Sequence, residues 1–277
     1  MQRTDTTRVE LAQIAVLIPA LNEELRIREV VQAALAQCPN VIVVDDGSSD
    51  DTVARIADLP VQLLRHPTRR GKGEALRCGF RAALARGYRG VVTMDGDGQH
   101  SAADVPRLLA AANRHPGSIV IGARLRKRTL QPTYRRLANE FGDWGIAWGT
   151  GYQLCDSQSG QRFYPAAVMA LQEIPGEGFV FEAQVLVSAA RQLGTRSVSV
   201  PIESRYRCAD SAECFRASHF RPLHDLFGIV RHMLMQALRH GDLRGMYRSI
   251  RANPPIIDDP EGTLATPLVD HELSKPA

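Results

Sequence analysis

Asp95 and Asp97 are the residues best placed for chemistry, two carboxylates one position apart in the block Met94–His100. They follow the apolar run Val91–Met94, and Gly96 between them lets the backbone bend so that both can turn toward one ion. Oxygen ligands of this kind suit Mg2+ or Mn2+, which would bridge a diphosphate. Gln99 and His100 lie close enough to complete or support the shell. Asp-Gly pairs are also ordinary turn formers, so the block by itself leaves both readings open. A second acidic turn, Asp45-Asp46-Gly47-Ser48, follows another apolar run, Val41–Val44. Asp46 there could accept hydrogen bonds from a nucleobase or ribose, with Gly47 allowing close approach. An Asx-turn leading into a helix cap from Ser48–Asp50 is the plainer use of the same residues, and both can hold at once.

Two such turns act together only if the fold brings them to one edge. Short apolar runs at 14–18, 41–44, 61–64, 91–94 and 118–121 read as strands, the first stopped by Pro19. Between them fall helical patterns over 23–36, capped by Asn22, over 52–57, capped by Ser49 or Asp50, and over 73–85 and 102–113. Further helices are expected over 137–150 and 181–193, and a strand over 197–202. Strands alternating with helices imply an α/β architecture, a mostly parallel, Rossmann-like sheet flanked by helices. In such sheets ligands bind beyond the carboxyl ends of the strands, where both acidic turns fall. Pro222–Arg239 is an amphipathic helical pattern. The expected organisation is a loose N-terminus over 1–10, one α/β domain over 11–205, a C-terminal helical segment over 206–252 and a disordered tail over 253–277.

The whole-chain numbers agree with a globular enzyme. Of 277 residues, 44% are hydrophobic and 23% charged, and 34 Lys+Arg against 30 Asp+Glu leave a net charge of +4. That excess is too small to argue for nucleic acid, and none is expected as a partner. No run approaches the roughly 18 apolar residues of a membrane span, and Ile14–Ile18 is too short for a signal peptide. The 5 cysteines are odd in number and lack C-x-x-C spacing, so neither a disulfide framework nor a zinc site is indicated. A cytoplasmic enzyme is expected. A nicotinamide dehydrogenase would need G-x-G-x-x-G after the first strand, and a nucleotidyltransferase a basic glycine-rich loop there; Pro19–Glu23 is neither.

Four blocks, Pro19–Glu24, Val44–Thr52, Gly71–Leu76 and Met94–His100, stand in the order seen in inverting family 2 glycosyltransferases. Within these the chain most resembles the dolichol-phosphate mannose synthase-like branch. Ile121–Arg124, Asp156–Gly160 and Val200–Ile202 extend the likeness, which covers Ile14 to Ile202. The resemblance implies a GT-A fold and metal-dependent, inverting transfer of a hexose. The donor would be a nucleotide sugar of the GDP-mannose or UDP-glucose type, and the acceptor a lipid phosphate, a polyprenyl phosphate. It further implies peripheral contact with the inner face of the membrane. Pro19, Ala20, Asn22 and Glu23 would line the nucleotide pocket and Asp46 would hold the base. Lys72 and Asp95 would lie near the nucleotide, and Gly73 would permit close approach. Asp95, Asp97 and Gln99 look like the site for Mg2+ or Mn2+ and the diphosphate.

Asp97, Arg124 and Asp156 form the expected catalytic set, and Arg135 or Arg136 resembles an arginine that holds an acceptor phosphate. The run Arg124–Arg136 equally fits a solvated basic face. Asp156 either orients Gln158 and Ser159 beside the sugar or forms an Asx-turn. Glu182 is read as structural, beneath the site, in preference to a catalytic base. Pro222–Arg239 suits either packing on the domain or lying in a membrane interface, with Phe215, His219 and Phe220 as an acceptor-side lip. The stretch Glu203–Ala217 is longer than the compact loop of related synthases, which leaves Arg205 and Arg207 without an assigned role, whereas Ser218–Asp225 is similar to a region of bacterial polyprenyl-type members. The contrasting reading is a catalytically silent module that binds a nucleotide sugar or a partner.

Overall fold

The computed structural model describes residues 8–126, 133–171, 174, 178–203 and 242–264, apart from the side chains of 133–136, 138, 178 and 179. Pro222–Arg239, Phe215, His219, Phe220, Arg205 and Arg207 lie outside the described residues.

The elements run β1 (Ile14–Ala20), α1 (Ile27–Gln37), β2 (Val41–Asp45), β3 (Gln62–Arg65), α2 (Lys72–Ala85), β4 (Gly90–Thr93), α3 (Val105–Arg114) and β5 (Ile119–Ala123). Then come α4 (Thr133–Thr150), β6 (Arg162–Pro165), the short α5 (Ala166–Met169), α6 (Gly178–Leu193), β7 (Ser197–Pro201), α7 (Leu243–Ala252) and β8 (Ile256–Ile257). The strands form one sheet in the order β3-β2-β1-β4-β6-β5-β7-β8. All neighbours are parallel except β6, which runs antiparallel to both β4 and β5. The expected α/β sheet is therefore present, and β1 lies between the two strands that end in the acidic turns.

The pleat of β1 shows why its sequence is apolar throughout. Ile14, Val16 and Ile18 join the core that α1 and α3 cover, while Ala15 and Leu17 join the core beneath α2 and α6. A strand covered on both faces has no solvated side and needs no polar alternation. Gly79 of α2 packs directly on Leu17, leaving no room for a Cβ. Fully burying a side chain such as Leu17 stabilises the fold by about 2 kcal/mol.

Several boundaries differ from expectation, each for a local reason. Pro19 does not stop β1, which continues to Ala20. The Leu17 carbonyl accepts from Met94 N–H at 3.0 Å, so odd-numbered residues of β1 face β4, and that pairing has ended at Leu17. The donor that Pro19 lacks would have met no partner.

The first helix starts at Ile27 rather than Glu23, and Asn22 does not cap it. Asn22 instead takes φ 56° and bonds across to the second acidic turn, and Leu25 is 75% exposed. Only a single 3-10 turn, Ala54–Ile56, forms within 52–57, because Asp50 accepts from Thr52 and Glu24 N–H and holds the chain in a turn.

The two ends of the described chain are also tied down. Val9 exchanges hydrogen bonds with the Asn113 side chain at 2.7 and 2.9 Å. Beyond Pro254, Ile256–Ile257 pairs with β7. Asp258 is then buried against the Arg114 fork at 2.8 and 2.9 Å and His115 at 3.1 Å. Within the expected tail, two isoleucines thus pair with an open strand edge and the acid meets the Arg114 guanidinium. The rest of it lies outside the described residues.

Candidate active site

The β1 loop and the turn after β2 are sewn together. Asn22 N–H donates to Ser48 Oγ at 2.9 Å, and Ser49 N–H donates to Asn22 Oδ1 at 2.9 Å. Glu23 N–H donates to Thr52 Oγ1 at 2.7 Å. Asp46 is buried, and its carboxylate accepts from Arg70 N–H at 2.8 Å, Gly71 N–H at 2.7 Å and His66 Nδ1 at 2.8 Å. Those bonds fix the loop that leads into α2. Gly47, at φ 78°, lies under that loop, where a Cβ would come within 2.8 Å of Arg69 N. The expected base-holding residue therefore uses both carboxylate oxygens inside the protein.

On the other side of β1, Asp95 is the meeting point of three segments. Lys72, the first residue of α2, places Nζ 2.7 Å from Asp95 Oδ1 and 3.2 Å from Glu182 Oε2 on α6. A cation at a helix N-terminus opposes the helix dipole; here two carboxylates hold it there. Burial alone would lower the Lys72 pKa, but Asp95 and Glu182 raise it, so the lysine stays charged. Gly160 packs on Asp95, with room for no Cβ because Oδ2 would lie 2.5 Å away. Thr93 Oγ1 donates to the Gly160 carbonyl at 2.7 Å and fixes that approach.

Asp95 and Asp97 titrate in opposite directions. Burial pushes Asp95 up, but Lys72, with His100 and Arg124 behind it, brings it below the usual carboxylate range. Burial and the neighbouring Asp95 charge both push Asp97 up, against a hydrogen bond from Gln99 N–H at 3.0 Å. Burial and mutual repulsion thus work against ionising both carboxylates at once. His100 is buried, and burial lowers its pKa to about 4. Its Nδ1 has no hydrogen-bond partner and lies 3.7 Å from Asp95 Oδ2.

Arg124, just past β5, is locked to Asp156. The carboxylate accepts from Arg124 N–H at 2.7 Å, Nε at 2.8 Å and Nη2 at 2.5 Å. Burial opposes the charge on Asp156, but Arg124 lowers its pKa and keeps it ionised. Among the described residues, Asn22 and Asp156, at φ 56° and 54°, are the non-glycine residues with positive φ. Both are expected site residues, and Asn and Asp are the non-glycine types that enter this region most readily.

A sequence model of Glycosyl transferase family 2 matches residues 15–174. The chain belongs to this family. It is 37% identical over 174 residues to the undecaprenyl-phosphate mannosyltransferase of Micrococcus luteus, covering 59% of this chain and 70% of that one. It is 31% identical over 183 residues to the UDP-N-acetylglucosamine–dolichyl-phosphate N-acetylglucosaminyltransferase of Methanococcus voltae, covering 58% and 72%. Among solved structures it resembles glucosyl-3-phosphoglycerate synthase from Mycobacterium tuberculosis in complex with phosphoglyceric acid, at TM-score 0.57 and 25% identity, covering 82% and 79%. The same enzyme is also solved with Mn2+, UDP and its glucosylated product.

In this family 2 glycosyltransferase the fold thus gathers Lys72, Asp95, Asp97 and Glu182 at one point and joins Arg124 to Asp156. Pro19 and Glu23 border the same centre: a Cβ on Gly96 would lie 3.5 Å from the Pro19 carbonyl and 3.3 Å from Glu23 Cγ. Arg135 and Arg136 are in the first turn of α4, with side chains outside the described residues.

Two contributors carried no signal strong enough to single out. Arg162 is 1% exposed and donates to the carbonyls of Ser157, Ser159 and Glu182, so it holds the Asp156–Gly160 loop against α6. Its trace in the sequence is a single arginine at the start of β6. Asp143 of α4 accepts from Asp156 and Ser157 N–H at 2.8 and 2.7 Å; nothing local distinguishes it from any helical acid.

Proposed function

We propose that this glycosyltransferase moves a hexose from a nucleoside-diphosphate sugar to a polyprenyl phosphate with inversion, at a membrane surface, with Mg2+ or Mn2+ at Asp95 and Asp97. The convergence of Lys72, Asp97 and the Gly160 loop on Asp95, with the Arg124–Asp156 pair close enough to act on its charge, carries this reading. The named relatives support the acceptor class: they use different sugars but share a polyprenyl-type phosphate in their names.

The residues fit a divalent cation. Asp95 and Asp97 offer hard oxygen donors whose charges are mutually unfavourable without a cation, and the Gln99 side chain can add an amide oxygen. No group of three His, Cys, Asp or Glu forms a complete cage among the described residues. Mg2+ and Mn2+ of this class take the rest of their shell from substrate phosphates and water. When bound, the cation neutralises charge developing on the leaving diphosphate.

The chain's own residues account for the rest. Lys72 adds a fixed positive charge beside Asp95. Asp156 presents Arg124 in one orientation, ready to meet phosphate oxygens, and Arg135 or Arg136 would hold the acceptor phosphate. The sewn loops of Pro19–Glu23 and Asp46–Thr52 form the nucleotide side. An acceptor phosphate is anionic at neutral pH and needs no general base. Glu182 accordingly serves as the partner of Lys72, and the rate derives from placement and electrostatics.

Thermal stability with GDP, UDP and their sugar conjugates, with and without Mn2+, tests this reading. A ligand at 100 times its Kd adds about 2.7 kcal/mol. One nucleotide class should stabilise the protein in a metal-dependent way, and Asp97→Ala should abolish the effect. The stabilising sugar nucleotide should then glycosylate undecaprenyl phosphate. Transfer to 3-phosphoglycerate instead would move the acceptor to small phosphorylated acids, and no nucleotide effect at all would favour a silent binding module.

A further inference from the structure

Both tryptophans of the chain, Trp144 and Trp148, lie on α4. Leu137, Phe141, Trp144 and Trp148 recur at spacings of three and four residues, so they form one stripe along the helix. Leu137 is 57% exposed and Phe141 and Trp144 are each 47% exposed. The Phe141 and Trp144 rings stack at 5.8 Å, and Trp144 and Trp148 meet edge-on at 6.0 Å. The three rings pack on one another, with Phe141 and Trp144 exposed and Trp148 half-buried.

The neighbouring helix repeats the pattern. α7 meets the end of α4, where Ser249 Oγ donates to the Gly151 carbonyl at 2.9 Å and Gln153 Nε2 to the Ile250 carbonyl at 3.2 Å. It has no buried residue, and Leu243 and Tyr247 are 41% and 50% exposed. Of the seven large apolar side chains exposed among the described residues, five are on these two helices. Single exposed apolar residues are ordinary, but such a concentration marks a contact surface. α7 also carries Arg244, Arg248 and Arg251 and no acid. Glu140, also exposed, stands three residues after Leu137 and four before Trp144 and borders the stripe.

Aromatic rings with a polar edge beside arginines match the interfacial zone of a bilayer with anionic headgroups. We propose that the outer face of α4, together with α7, rests on an anionic membrane surface. This deepens the lipid-phosphate reading above by naming the face turned to the lipid. The opposite side of α4 carries Asp143, which holds the Asp156–Ser157 backbone and through it Arg124. Membrane and arginine loop are then separated by one helix diameter, about 10 Å, a reach suited to a headgroup-level phosphate.

Because α4 holds both tryptophans, their emission reports on this face alone. The full chain should be mixed with phosphatidylcholine vesicles, with and without phosphatidylglycerol. A blue shift and quenching by brominated acyl chains are expected on the anionic vesicles only. Removing two arginine charges, Arg248→Gln with Arg251→Gln, should weaken binding about 30-fold, and Phe141→Ser should reduce the quenching. Sedimentation with vesicles but unchanged tryptophan emission would place the contact elsewhere in the chain and overturn the proposal. So would no binding to anionic vesicles, or a lipid-independent shift that grows with protein concentration, which would assign the face to a second copy. Nucleotide stabilisation measured on the same sample separates the failures: nucleotide binding without vesicle binding removes only this proposal, and vesicle binding without nucleotide binding removes only the transferase reading.

Discussion

Asp156 holds Arg124 at three points, accepting its backbone N–H, Nε and Nη2 at 2.7, 2.8 and 2.5 Å. The arginine's position is therefore set by a residue 32 positions later in sequence, on the loop that also packs over Asp95. Asp156→Asn keeps the size but removes the charge and one acceptor. Breaking a buried pair from one side costs about 3–5 kcal/mol, and Arg124, at 16% side-chain exposure, stands near that case. The expected result is a large drop in melting temperature with about a 100-fold loss of transfer, the usual cost of a misplaced positioning group; unchanged transfer would show that the pairing does not position Arg124.

Glu182→Gln separates two roles for the same carboxylate. As the partner of Lys72 at 3.2 Å, Glu182 can be replaced by an amide with a modest loss of activity and an unchanged pH profile. A general base would cost about 10²–10⁴-fold and take the acidic limb of the profile with it. Rates across pH for wild type and variant decide between them.

Asp143 makes stability depend on pH in the direction opposite to a salt-bridged acid. Enclosure by protein pushes its pKa up to about 7, the Ser157 hydrogen bond pulls it back and the Asp156 charge raises it further. The native state then holds a proton that the unfolded chain has released above about pH 4. Stability from this group is present at low pH and is lost as pH rises through 7. Asp143→Asn should flatten the fall between pH 4 and 7 in denaturant titrations, and an identical slope in both proteins would contradict the assignment.

Gly160→Ala should act on the site more than on the fold. The new Cβ would meet Asp95 Oδ2 at 2.5 Å, while the Thr93 bond keeps the loop from retreating. Overpacking of this kind costs about 1–3 kcal/mol. Metal-dependent stabilisation by nucleotide should shrink along with transfer, which a thermal-shift titration with Mn2+ would read directly.

The chemistry that depends on neighbours in sequence is legible from the residues alone. Asp95-Gly96-Asp97 and Asp45-Asp46-Gly47 follow apolar runs, and those runs form β4 and β2 on either side of β1. Helix starts are less legible where side chains have a competing use. Asn22 looks like a cap from sequence, but Ser48 and Ser49 draw it across the edge of the sheet. The same competition turns Thr52–Ala57 into a single 3-10 turn.

Residue types and short spacings determined that this protein has a parallel α/β core with two acidic turns at one edge, because apolar runs and turn residues act within a few positions. Tertiary structure alone decided that Lys72 bridges Asp95 and Glu182, that Asp143 and Arg162 brace the Asp156 loop, and that Ile256–Ile257 closes the sheet beside β7. These contacts join residues far apart in the chain, and they form only where the reversed strand β6 and the order of the sheet bring the segments into reach. A side chain's local sequence says what it can bond; the packing of the sheet settles which partner arrives.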